Sequence, residues 1–261
     1  MSDMTTSPQN TAEIEAVFGN APPDAQAAVP APTMVGEWRR FGAFLKRPTL
    51  DDSGRAARPF EVLLRIYALD MAIMLVLISC AAIAIALGVE LPETALAGME
   101  FTPVLIALVV IVAPVMEELI FRSWLSGKPA QVLAWFAVVL AFGAVSIFGN
   151  EGAVPPWPFL IAGLAGVVLS LALLWRKPAW RWFAKGFPVF YWLSVLSFAL
   201  VHLANFEEGG AVLFALVLPQ FVLGTMLGYV RTRIGLWAAI ALHAAHNATA
   251  LTIASLAMTA G

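Results

Sequence analysis

Seven stretches of the 261-residue chain are apolar for long enough to cross a lipid bilayer, which takes about twenty residues as a helix. They run over 66–88, 102–125, 131–149, 157–175, 188–205, 211–230 and 235–258. The third and fourth are the shortest, so the pattern admits six to eight spans. Polar segments between the runs alternate in sign. Lys and Arg precede the first run and then occur at Arg122 and Lys128, at Arg176, Lys177, Arg181 and Lys185, and at Arg231 and Arg233. The opposite loops carry Glu90, Glu93, Glu100, Glu151, Glu207 and Glu208 and no cation. By the positive-inside rule the N-terminus is expected in the cytoplasm and the C-terminus outside. The expected fold is an all-α, polytopic transmembrane helix bundle of about seven spans. Tyr67, Tyr191 and Tyr229 fall at the inner ends of their runs and are expected to form an interfacial belt. The small-residue pairs Ala162 with Gly166 and Gly224 with Gly228 are expected to let helices approach closely.

Residues 1–36 lack the apolar core of a signal peptide and are rich in Ala, Pro, Ser, Thr and acidic residues, so a disordered cytoplasmic tail is expected. Residues 37–57 form a basic interfacial segment. Within it Trp38, Phe41, Phe44 and Leu45 recur at helical spacing among Arg39, Arg40, Lys46 and Arg47. Two readings stand: a helix lying on an anionic leaflet, or a solvated basic segment ahead of the membrane domain. Residues 58–261 make up the transmembrane domain.

Composition narrows the function classes. With 61% hydrophobic and 12% charged residues the chain is no soluble domain, and a net charge of -2 without a basic stripe gives nucleic acid no purchase. The single Cys80 excludes a disulfide framework and a cysteine metal site. What remains informative is the polar chemistry inside apolar runs, where each ionisable group costs a few kcal/mol.

Glu117 and Glu118 are neighbours on a helix and point about 100° apart, whereas Glu118 and Arg122 are four apart and can pair. One glutamate is left for other work. Pro114, a turn earlier, removes a backbone donor and loosens the helix beside Glu117. Phe198 and His202 share a face, so the ring can wall a site at the imidazole. His243 and Asn247 share a face of the last run, with His246 offset from them, and an amide beside an imidazole suits an oxyanion hole. Counted from the inner boundaries, all these groups lie near mid-membrane. His202 and His243 could also serve as axial haem ligands, and glutamates with an arginine suit an ion-coupled transporter. The first leaves Glu117, Glu118 and Arg122 without a role.

Glu117-Glu118-Leu119-Ile120-Phe121-Arg122 reads E-E-x-x-x-R, Phe198-Ala199-Leu200-Val201-His202 reads F-x-x-x-H, and His243-Ala244-Ala245-His246-Asn247 reads H-x-x-x-N. In this order on separate spans, the three motifs resemble those of the CPBP family (CAAX protease and bacteriocin-processing, or Abi) of intramembrane endopeptidases. The resemblance covers 101–258, and the interval between Arg122 and Phe198 is long for the family, holding two additional spans. It implies peptide-bond hydrolysis of a membrane-associated, prenylated or leader-type substrate. Glu117 would be the general base, Glu118 and Arg122 would support the site, and His202 would orient water. His243 and Asn247 would stabilise the oxyanion. A bacterial inner membrane is the expected location. The cofactor is open: His202 and His243 could ligate a divalent metal such as zinc, without the H-E-x-x-H spacing that would compel it, and a metal-free glutamate mechanism serves as well. A silent scaffold or immunity protein of the same fold is the alternative function.

Overall fold

The computed structural model describes residues 33–50, 56–90, 92, 100–149, 154–206, 210 and 212–260, with the side chains of 257–260 left aside. The expected tail falls outside them except for its last residues, because the first helix, α1 (Met34–Lys46), begins two residues before the boundary at 36. The spans follow as α2 (Pro59–Ala86), α3 (Pro103–Phe121), α4 (Pro129–Gly149), α5 (Trp157–Leu174) and α6 (Arg181–Asn205). A short α7 (Val212–Leu216) leads into α8 (Leu218–Arg233), and α9 (Leu236–Ala260) follows. The protein is all-α, and no strand occurs among the described residues. Five helices, α2 to α6, are long and apolar enough to span a membrane. α7 with α8, and then α9, occupy the sixth and seventh expected runs.

Proline punctuates this order. Pro59, Pro103, Pro129, Pro158 and Pro219 each stand at the first or second position of a helix, where the missing N–H would have had no helical partner. Thr102 adds a side-chain cap to α3, its hydroxyl accepting from the Leu105 N–H at 3.2 Å. Gly235, at φ +145°, makes the tight turn between α8 and α9 that a side chain would strain.

The centre of the bundle is α8, in which every residue from Leu223 to Val230 is buried. Its glycines face α6. A Cβ on Gly228 would stand 2.6 Å from the Tyr191 ring, and one on Gly224 would meet Phe198 at 3.2 Å and the Arg122 guanidinium at 3.4 Å. The second predicted small-residue pair thus makes a close approach. In the other helix the contact falls one residue away from the expected start, at Gly163 and Gly166, whose Cβ atoms would lie 2.5 and 2.8 Å from Ala141 and Ala137 of α4. The two additional spans, α4 and α5, therefore pack as a hairpin. Outward faces of α2 to α5 carry exposed Leu, Ile, Val and Phe, as a lipid-facing surface does.

One expectation about aromatic residues is corrected. Tyr191 and Tyr229 are fully buried instead of lying in an interfacial belt. Their hydroxyls donate to the Thr225 carbonyl at 2.8 Å and to the Glu37 carboxylate, while Tyr67 bonds Thr249 at 2.6 Å. A tyrosine with a polar partner inside the bundle has no need of the headgroups. The apolar face of α1 packs on protein, with Phe41 buried and Phe44 set edge-on to Tyr191 and Tyr229. Trp38 donates to the Arg65 carbonyl at 2.9 Å, and Arg39, Arg40, Lys46 and Arg47 point outward.

Candidate functional site

The first motif lies at the end of α3, where the chain departs from regular α-helix. Residues Leu108–Val112 form a π turn, and the Ala113 N–H reaches back to the Leu108 carbonyl. Pro114 has no N–H to offer the next acceptor. The Val109 carbonyl is thereby left without a helical donor, and Asn247 of α9 supplies one through its side-chain amide at 2.9 Å. Loosening at Pro114 is realised as this change of helical register.

His202 is fastened in the same manner. The helix tightens to a 3₁₀ turn over His202–Asn205, so the His202 N–H bonds the Ala199 and Leu200 carbonyls instead of Phe198. The freed Phe198 carbonyl accepts from the ring Nδ1 of His202 at 2.7 Å.

Between these anchors the motifs meet. Glu118 and Arg122 are fully buried and paired at 2.8 Å, as their spacing predicts, and the same Glu118 oxygen accepts from His243 Nδ1 at 3.0 Å. A carbonyl and a carboxylate only accept, so both imidazoles carry a proton on Nδ1 and turn Nε2 the other way. Both Nε2 atoms face Glu117: its Oε2 is 3.9 Å from His202 Nε2 and 3.7 Å from His243 Nε2, and makes no hydrogen bond. Phe198 is more than a wall. The Arg122 guanidinium sits 3.8 Å from its ring centroid, and both imidazoles stand edge-on to it.

The structure thus brings Glu117, Glu118, Arg122, Phe198, His202 and His243 into one cluster, and ties Asn247 to the π turn just before it. Glu117 keeps 27% of its side chain exposed and His202 15%, beside the exposed apolar residues Met116, Leu119 and Ile120. The site is therefore partly accessible, at Glu117 and His202.

As metal ligands these residues are poorly placed. Donors about 2.0–2.1 Å from a tetrahedral ion are roughly 3.3 Å apart, less than the Glu117 to histidine separations of 3.7 and 3.9 Å. Among the described residues no group of three His, Cys, Asp or Glu is arranged to hold a metal ion.

Several supporting residues escape a motif search. Carbonyls at the C-terminal end of α3 also accept from side chains of three elements. Trp135 of α4 donates to Ile120 at 2.6 Å, Ser194 of α6 to Phe121 at 2.6 Å, and Arg231 of α8 to Arg122 at 3.0 Å. The additional span α4 thereby buttresses α3. His246, offset from the face of His243 and Asn247, bonds a buried Asp70 in α2. An acidic residue alone in an apolar run is the signal that could have found it.

Pro114→Ala should restore a donor at position 114, draw the π turn toward α-helix and release Asn247. A shift of about 1 Å at Glu117 would lower any turnover that depends on its carboxylate roughly 10²-fold, with the thermal midpoint held or raised. A variant of unchanged kcat, measured in proteoliposomes, would show that the register of α3 is immaterial.

The family model of the type II CAAX prenyl endopeptidase Rce1-like proteins matches residues 99–180 and 172–249. The first segment holds the E-E-x-x-x-R motif and the second holds the other two. No curated protein and no solved structure matches the chain. Because the matched residues, 99 to 249 of 261, exceed half its length and contain all three motifs in the cluster just described, the chain belongs to the type II CAAX prenyl endopeptidase Rce1-like family.

Proposed function

We propose that the protein is an intramembrane endopeptidase in which Glu117 activates water against a peptide carbonyl. The observation that carries this reading is the unbonded Glu117 Oε2 faced by two imidazole Nε2 atoms. Separations of 3.7 and 3.9 Å are too long for direct hydrogen bonds and suit one water oxygen about 2.8 Å from each group.

The two histidines differ in what lies behind them, and so in role. His202 rests on a neutral carbonyl and keeps a lone pair on Nε2, which accepts a hydrogen from the water and orients it. His243 is held through Nδ1 by Glu118, which aims its Nε2 into the site, where a proton on that nitrogen would make it a donor to the oxyanion. Asn247 spends one amide hydrogen on Val109 and has a second for the same oxyanion. As water attacks, Glu117 takes its proton. When the tetrahedral intermediate collapses, Glu117 returns that proton to the departing amine. No step passes through a metal.

The partial exposure of Glu117 on a helix rich in exposed apolar residues supports a substrate held at the membrane, and the family description supports one ending in a prenylated Cys-a-a-X. The test is hydrolysis of an internally quenched, farnesylated Cys-a-a-X peptide by the purified protein in proteoliposomes. Cleavage that survives EDTA and 1,10-phenanthroline is expected. Activity lost to chelators and recovered with zinc would replace the water-only site by a metal centre, and a folded protein without any cleavage would leave the silent scaffold.

A further inference from the structure

One buried ionisable pair has no part in the mechanism above. Asp70, in the middle of α2, and His246, on α9, meet at 2.8 Å between Oδ2 and Nδ1, with 1% and 8% of each residue exposed. Tyr67 and Thr249, three residues to either side along their helices, join the same two elements at 2.6 Å. Asp70 lies outside the segments matched by the family model, which begin at residue 99.

For holding α2 to α9, an ion pair inside a membrane bundle is an expensive choice. Apolar side chains of like volume serve stability as well or better, and charge is costly in lipid. What a carboxylate–imidazole bond provides that apolar contact does not is direction, since it weakens steeply away from a straight geometry. His246 follows His243 by three residues and precedes Asn247 by one. A rotation of α9 about its axis that moved His246 would therefore swing His243 from Glu118 and Asn247 from Val109 together.

We propose that Asp70 is a positioning residue of the peptidase site, acting through His246 to hold α9 in the rotation that presents His243 and Asn247 to α3. The inference rests on the endopeptidase reading. It assigns α2, a span without a motif, a share in the geometry of the reaction.

The test compares three variants in proteoliposomes with the farnesylated peptide. Asp70→Leu with His246→Leu should keep the thermal midpoint and leave KM within about threefold, while kcat falls about tenfold or more. Exchanging the partners, Asp70→His with His246→Asp, rebuilds the bond and should recover most of that loss. A leucine pair at the wild-type kcat would reduce Asp70 and His246 to packing, and an exchanged pair no better than the leucine pair would show that they do not act together. Should the leucine pair fail to fold, the exchanged pair must outperform Asp70→His and His246→Asp singly, or the proposal fails. The third variant, Glu117→Gln, separates the two claims. Cleavage by it at the wild-type rate overturns the glutamate mechanism, whereas the coupling of positions 70 and 246 is read independently from the thermal stability of the same single and exchanged variants.

Discussion

A Glu117→Gln protein should bind the farnesylated peptide and fail to cut it. Glutamine matches glutamate in size, and Glu117 Oε2 has no hydrogen bond to lose, so the bundle has no reason to rearrange. What disappears is the capacity to take a proton from water. A positioned general base contributes typically 10² to 10⁴ in rate, and a fall of roughly that size in kcat with little change in KM is the expected result. His202→Ala should fall in the same range if it fixes the direction of attack. Because His202 is held by a neighbouring backbone carbonyl, its loss unfastens no other helix. Equal thermal midpoints for both variants and the parent protein would assign the loss to chemistry, and turnover by Glu117→Gln at the parent rate would remove Glu117 as the base.

Arg122→Ala should damage the fold itself. Arg122 and Glu118 are both fully buried, and deleting the cation leaves a carboxylate in the bundle interior with only His243 against it. Removing one member of a buried pair costs about 3–5 kcal/mol, and the cation over the Phe198 ring adds to the loss. Adding Glu118→Gln should return much of the stability, since the uncompensated charge is then gone. It should not return activity, because the carboxylate that holds His243 Nδ1 and the cation over the Phe198 ring would both be gone. Thermal or detergent unfolding of the two variants decides this. An Arg122→Ala protein as stable as its parent would mean that the ion pair contributes nothing to the bundle.

Much of this arrangement is legible in the order of residues. Hydropathy places all seven runs within seven residues of the ends of the helices or helix pairs that occupy them, because the part of a helix that crosses a membrane must be apolar. Helical spacing is enough to pair Glu118 with Arg122 and release Glu117, since both facts are local. The remainder is not local. Asp70 and His246 are 176 residues apart, and nothing near either one names the other. Asn247 reads as an oxyanion donor, but its bond to Val109 depends on a change of helical register that leaves no mark on hydropathy. Trp135, Ser194 and Arg231 end on backbone carbonyls, acceptors that every position possesses. The amphipathic pattern of Trp38, Phe41, Phe44 and Leu45 describes a helix with one apolar face. It cannot say whether lipid or protein covers that face.

The bonds that complete the site also set a timetable for it. Glu118 and His243 are separated by 125 residues, and at about 5–20 residues per second a ribosome needs on the order of ten seconds to pass from one to the other. During that interval α3 enters the bilayer without its histidine partners. Its Glu118 is already neutralised, because Arg122 emerges only four residues later on the same helix. The nascent chain thus enters the bilayer with one of its two glutamates already paired, while the imidazoles that face the other arrive later, with α6 and α9.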